Sequence, residues 1–100
     1  MSPAFDTLIH APGRLQICAL LSAVEEAEFA TVRDAVAVSD SVLSKHVKLL
    51  EEAGYVKVRK ATVSSRQRTW LALTGSGRSA FAGHMGELTR LAASAKLAAE

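Results

Sequence analysis

The segment SDSVLSKHVKLLEEAGYV, positions 39–56, contains several hydroxyl and amine side chains among apolar ones. Leu43, Val47 and Leu50 recur at intervals of four and three residues, which is the spacing of one buried helix face. Helix geometry then turns the following residues to the opposite side: Asp40, Ser41, Ser44, Lys45 and Lys48. Serines near a helix N-terminus can approach phosphates and base edges, while lysines supply positive charge for phosphates. The pattern predicts a helix with a hydroxylated, basic face of a kind that suits a nucleic acid.

A solvent-exposed helix face is the competing interpretation, and this segment alone does not decide between the two. The basic hairpin that is predicted directly after the helix, with Arg66 and Arg68 in its loop, favours the nucleic acid, and the placement of charge along the chain agrees with it. The formal net charge of the 100 residues is only +2, but residues 39–74 carry seven basic side chains against three acidic ones. Residues 1–38 carry two basic side chains against five acidic ones. This asymmetry suggests that one face binds a polyanion.

The periodicity and the capping residues predict two further helices before this one. Pro12 begins a largely buried helix over RLQICALLSAV, and Thr31 has the chemistry of an N-cap for a short second helix, VRDAVAV. Ser39 or Asp40 would cap the third helix. Gly54 would end it, because glycine adopts the left-handed conformation without penalty.

After Gly54 the apolar period changes from 3.6 to 2 residues, which predicts a strand over 55–60 and another over 69–73. The basic segment ATVSSRQR would be the loop of this hairpin. EFA, at 28–30, is short enough to be a turn or a minimal strand. Thr74 would cap a long final helix over about 75–97. The order predicts one mainly helical α+β domain over 1–100, a winged helix-turn-helix with the helix-turn-helix at about 31–53 and the wing at about 55–73.

DSVLSKHVKLLEEAGYVKVRK, followed by RQRTWLALTGSGRSAF, resembles the small bacterial winged-helix transcriptional regulators of the MarR and ArsR type. It looks most like the compact winged helix DNA-binding domain proteins, over roughly positions 12–91. The resemblance implies a dimer that binds a palindromic DNA operator, represses transcription and often releases DNA when a small molecule or metal binds. Ser39, Ser41, Ser44, Lys45 and His46 match the recognition helix. The remaining matches are Lys48 as a phosphate contact, Arg66 as the arginine that reaches a minor groove, and Arg68 and Lys60 at the wing base.

Two departures from these families matter. The MarR wing usually carries an aspartate that orients its arginine, and Ser64 and Ser65 stand in that stretch here. The metal-sensing ArsR proteins place paired cysteines before the recognition helix, where this sequence reads TVRDAVAV. We therefore do not expect a cysteine-based metal sensor, and Cys18, within LQICALL, is expected to be a small buried hydrophobe.

The final helix carries apolar residues in a rhythm of four and three, close to a heptad. This stripe could fold back on the first helix, but it offers more apolar surface than one partner would cover, so we expect a homodimer. The predicted interface residues are Phe81, Met85, Leu88, Leu91, Ala92 and Ala95.

Other residues leave alternatives open. His46 could contact DNA or pack between helices, and Trp70 could lie in the core under the wing or line an effector pocket. His10 and His84 have no carboxylate or cysteine at ligand spacing, so no metal site or other cofactor is expected.

No catalytic group is recognisable in the sequence. No stretch could span a membrane, and we expect a cytoplasmic protein.

A winged-helix protein-interaction module is the principal alternative function. Such a module would show apolar or acidic residues at positions 41, 44, 45 and 48. A third possibility is a ligand sensor with weak DNA binding.

Overall fold

The computed structural model describes residues 4–99, so positions 1–3 and 100 of the predicted domain lie outside the described residues. The helices and strands follow in the order α1 Thr7–His10, α2 Pro12–Ser22, β1 Ala27–Glu28, α3 Phe29–Val36, α4 Asp40–Glu52, β2 Val56–Val63, β3 Arg66–Leu73 and α5 Gly75–Ala99. This order confirms the mainly helical winged fold with a long C-terminal helix. No helix within the described range is long and apolar enough to cross a membrane.

The core lies where α2, α3 and α4 meet the sheet. Leu43, Val47 and Leu50 are buried, which confirms the predicted inward face of α4. Cys18 is also fully buried, and desolvation raises the pKa of its thiol to about 11. The thiol therefore stays protonated near neutral pH and serves as an apolar group.

The start of α3 differs from the prediction, because Thr31 does not cap it. Ala27 and Glu28 pair with Leu71 and Trp70 as a short strand, and α3 begins directly after them, at Phe29. Thr31 therefore lies within the first turn of α3 and is exposed. The predicted cap of α4 is confirmed, since Ser39 Oγ accepts a 3.2 Å hydrogen bond from the amide of Val42.

The three strands form an antiparallel sheet in the order β1-β3-β2. β2 and β3 pair continuously from Val56↔Leu73 to Val63↔Arg66, so the predicted loop over 61–68 is wrong. Only Ser64 and Ser65 connect the strands, with φ of 51° and 64°. Two positive φ values are those of a type I′ turn, whose twist matches that of the strands it joins. The wing is therefore a paired ribbon almost to its tip.

The end of α4 is fixed to the start of α5. At Gly54, with φ of 79°, the chain leaves the helix, and the amide of Tyr55 donates back to the carbonyl of Leu50 at 2.9 Å. Thr74 Oγ1 accepts from the amide of Gly77 at 2.9 Å and donates to the carbonyl of Gly54 at 2.6 Å. The predicted helix stop at Gly54 and the predicted cap at Thr74 are both confirmed.

Gly77 and Arg78, in the first turn of α5, contact the ends of two other helices. A Cβ atom at Gly77 would lie 2.1 Å from the carbonyl oxygen of Tyr55, so only glycine fits there. The guanidinium of Arg78 donates to the carbonyls of Ser22 and Val24, at 3.2 and 2.8 Å, just where α2 ends. The first turn of α5 is thereby tied to the ends of both α2 and α4.

The C-terminal part of α5 extends beyond the core. All described residues from Thr89 onward are exposed, and the longest dimension of the molecule is 60 Å against 25 and 21 Å for the others. No side chain of this part of the helix is buried within residues 4–99.

Candidate nucleic-acid interface

Four polar side chains form the α4 face, which we define as Ser41, Ser44, Lys45 and Lys48. All four are exposed, and they lie opposite the buried side of the helix. Neither lysine has an acidic partner among the described residues. The sequence placed these side chains correctly on the solvent side, and they form a positively charged surface.

The polar residues just before this face are engaged within the protein. Ser39 caps α4 through Val42, and its hydroxyl lies 3.3 Å from that of Ser41. Asp40 forms a 2.9 Å ion pair with Arg33, which also forms an ion pair with Asp34. These two carboxylates raise the pKa of the Arg33 guanidinium. The pairing fixes the N-terminus of α4 to α3 and offsets the negative charge of Asp40.

His46 lies in the contact between α4 and α2. It is half-buried, and its Nδ1 is 3.3 Å from Nη1 of Arg14. A Cβ atom at Gly13 would come within 2.5 Å of the imidazole. Burial and then the Arg14 charge lower the pKa of His46. Of the two interpretations left open by the sequence, the geometry favours packing between helices.

Basic side chains of the wing fall into two groups. Lys57, Lys60 and Arg66 are exposed and make no close ion pair within residues 4–99, although the charge of Lys57 is felt by Glu26. Arg59 instead pairs with Glu26 at 2.7 Å, and Arg68 pairs with Glu28 at 2.9 Å. The acidic residues in and just before β1 therefore offset part of the positive charge at the wing base, including that of the predicted contact Arg68.

Trp70 lies beneath this pairing. The Arg59 guanidinium is 5.3 Å from the centre of the half-buried indole, and Nε1 is buried without a hydrogen-bond partner among the described residues. The ring is thus part of the packing under the wing, as one of the two interpretations from the sequence proposed.

A groove of about 470 Å³ separates α4 from the sheet and brings the two basic elements to one side of the molecule. Its apolar lining includes Val47 and Leu71. Its polar lining consists of Ser44, Lys48, Lys60, Thr69 and the acidic Glu51, so two basic side chains face one carboxylate there. Side chains of the α4 face and of the wing therefore line one concave surface. A double helix that met α4 would meet β2 as well.

The predicted dimer residues divide between two environments. Phe81 packs against the protein's own core, and Leu88 is half-buried. Met85 and Leu91 remain 39% and 43% exposed. Ala92 and Ala95 lie on the exposed extension of α5. The apolar surface left uncovered is therefore concentrated from Met85 onward.

His10 and His84, which are separated by 74 positions, form one hydrogen-bonded chain. The amide of Asp6 donates to Nδ1 of fully buried His84 at 3.0 Å, and Nε2 of His84 lies 3.1 Å from Nδ1 of His10. An amide N–H can only donate, so Nδ1 of His84 is an acceptor and its proton is on Nε2. No group of three or more His, Cys, Asp or Glu side chains in the described part of the chain could hold a metal ion.

Comparisons with known proteins agree with this architecture. An uncharacterized protein from Methanocaldococcus jannaschii is 35% identical over 78 residues, which are 78% of this chain and 85% of that protein. A transcriptional regulator homologue from Pyrococcus horikoshii OT3 superimposes with a TM-score of 0.82 at 24% identity, covering 87% of this chain and 86% of that chain. A putative MarR-family regulator from Enterococcus faecalis V583 gives a TM-score of 0.79 at 16% identity, covering 93% and 84%.

The two solved structures show that the fold is shared. A family profile described as winged helix DNA-binding domain matches residues 14–92, most of the chain. The family resemblance found in the sequence is thereby confirmed, and this chain belongs to the family of winged helix DNA-binding domains.

Proposed function

We propose that the protein is a dimeric transcriptional regulator, and specifically a repressor, that binds a palindromic operator in double-stranded DNA. The observation that carries this proposal is the shared groove, where Ser44 and Lys48 of α4 lie on the same surface as Lys60 of the wing. In helix-turn-helix proteins the second helix enters the major groove. Here that helix is α4, and the wing would follow the flanking backbone or minor groove.

The individual contacts follow from the chemistry of each side chain. Ser41, Ser44 and Lys45 would reach base edges or nearby phosphates, while Lys48 and Lys60 would contact phosphates. Arg66 directly follows the two-residue turn, so it is the basic residue best placed to enter a minor groove at the wing tip. Ser39 and His46 would position α4, through the cap and the contact with α2. Arg68 would contribute less charge than the resemblance implies, because Glu28 pairs with it.

Dimerisation would use the uncovered surface of α5. Met85 and Leu91 are exposed apolar residues on a helix whose described residues from Thr89 onward are all exposed. A second copy of the same helix would cover them. In such a dimer the two α4 helices would enter successive major grooves about 34 Å apart. With DNA as its partner, the protein would act in the cytoplasm, and no small-molecule effector is assigned.

The principal alternative is a protein-interaction module. Such a module would present apolar or acidic side chains on α4. Positions 41, 44, 45 and 48 instead carry hydroxyls and ammonium groups that make no ion pair within residues 4–99. This composition favours DNA.

Selection of fragments from genomic DNA, followed by fluorescence anisotropy, tests the proposal. The molecular mass in solution is measured in the same buffers. We expect a few fragments to bind far more tightly than random DNA, with two chains per site and an inverted repeat in the bound sequence. Equal, weak binding of all fragments by a folded dimer would favour the interaction module.

A further inference from the structure

The first turn of α4 carries an exposed apolar residue that neither the fold nor the contacts proposed above require. Val42 is 40% exposed, whereas the next residue, Leu43, is fully buried. Successive helix residues are rotated by about 100°, so Val42 and Ser44 lie on opposite flanks of the α4 face. Ser44 borders the groove beside the wing. Val42 therefore lies on the flank directed away from the wing.

Other side chains near Val42, at the start of α4, are engaged in contacts within the protein. Ser39 is occupied in capping the helix, and Asp40 is held by Arg33. Ser41 and Val42 are both exposed, and the hydroxyl of Ser41 lies 3.3 Å from that of Ser39, whereas the Val42 side chain has no polar atom to engage. In a helix-turn-helix protein, residues at the N-terminal end of the second helix contact base edges. Val42 is thus positioned where sequence is read.

An apolar side chain can recognise only an apolar group on a base. Its side chain neither donates nor accepts hydrogen bonds, so a polar base edge placed against it would lose its water without gaining a partner. Among the groups displayed in the major groove, the C5-methyl of thymine is the apolar one. We propose that Val42 is a specificity-determining residue that selects thymine through its methyl group, once in each half of the operator. This inference rests on the proposed function and names one base contact within it.

Replacing thymine by uracil tests the contact directly, since it removes one methyl group and keeps every hydrogen-bonding group. Operators selected by wild-type protein are substituted at one thymine position at a time, symmetrically in both half-sites. Burial of one methyl-sized group contributes about a fourfold change in affinity. We therefore expect one position at which uracil weakens wild-type binding about fourfold per half-site.

The Val42→Ala variant should bind the thymine operator more weakly and should no longer distinguish thymine from uracil at that position. Leu49→Ala is the matched control, because Leu49 is the other half-exposed apolar residue of α4, at 43%, two turns further along. It should retain the discrimination. Val42→Ser, which removes both methyl groups, serves if the alanine variant does not fold, and it should likewise lose the discrimination.

Wild-type binding that is unaffected by uracil at every position would overturn the inference. Unchanged discrimination in Val42→Ala would do the same. Either result leaves the proposed function intact, because the unsubstituted operator is still bound. Failure to bind any fragment specifically would instead contradict the proposed function, and the thymine contact with it.

Discussion

The main-chain amide of Asp6 donates a 3.0 Å hydrogen bond to Nδ1 of His84, and this bond fixes the N-terminal segment to α5. The side chain of Asp6 accepts from the hydroxyl of Tyr55 at 2.6 Å, so the same residue also contacts the segment that follows α4. The first turn of the chain, the end of α4 and the long C-terminal helix therefore meet at one polar cluster. The hydrogen bond from Asp6 requires Nδ1 of His84 to be unprotonated, so this cluster depends on the protonation state of His84.

The first prediction concerns the effect of pH on stability. Burial, followed by the nearby His10, lowers the pKa of His84, with Asp6 acting in the opposite direction. The folded protein therefore binds a proton at His84 less readily than the unfolded chain does. The stability contributed by neutral His84 is present above the unfolded pKa of about 6.5 and is lost as the pH falls through the folded pKa. We expect the free energy of unfolding, measured with urea, to decrease between pH 7.5 and pH 5.5.

A His84→Gln variant isolates this contribution, because its amide is polar and can form hydrogen bonds but does not titrate. Its stability should fall less than that of the wild type over the same interval. His46, whose pKa is also lowered, accounts for part of the remaining dependence. An identical pH dependence in both proteins would show that His84 does not contribute.

The second prediction concerns the junction of α4 with α5. Gly77→Ala places a methyl group against the carbonyl oxygen of Tyr55, and backbone must move to accommodate it. We expect a loss of at least about 2 kcal/mol in the free energy of unfolding. Gly75→Ala, two residues earlier in open space, should change stability by less than about 0.5 kcal/mol. Equal stability of the two variants, in urea denaturation, would contradict the close approach.

The third prediction concerns the dimer. Ala92 belongs to the predicted interface stripe of α5, and the next residue, Ala93, is turned about 100° away from it. A lysine at position 92 would bring like charges together across the interface, so Ala92→Lys should shift the protein toward monomer in sedimentation velocity. Ala93→Lys adds the same charge outside the stripe and should remain dimeric. If both variants sediment like the wild type, the assignment of the α5 stripe as the interface is wrong.

Short-range patterns in the sequence predicted the elements that carry the site. The buried spacing of Leu43, Val47 and Leu50 oriented α4, and Gly54 and Thr74 correctly marked a helix end and a helix start. These predictions succeeded because burial periodicity and capping depend on residues within one or two turns.

Other features depend on partners distant in the chain and left no local pattern. A strand of two residues is too short to show alternation, so the sequence left 28–30 as either a turn or a minimal strand, whereas the strand is Ala27–Glu28. The start of α3 at Phe29 and the pairing of Arg68 with Glu28 follow from this strand and were not predicted. Ser64 and Ser65 lack the asparagine and glycine typical of a two-residue turn, which is why the wing was predicted with a longer loop. The contact of His10 with His84 joins opposite ends of the sequence.

The central claim is that the α4 face binds DNA phosphates, and the salt dependence of binding tests it most directly. Wild type, Lys48→Ala and Lys96→Ala are titrated against one operator by fluorescence anisotropy over a series of salt concentrations. Lys96 is exposed near the end of α5 and serves as the matched charge control. We expect a steep negative slope of log affinity against log salt for wild type and Lys96→Ala, and a slope shallower by about one for Lys48→Ala. A slope for Lys48→Ala equal to that of the wild type would contradict the account.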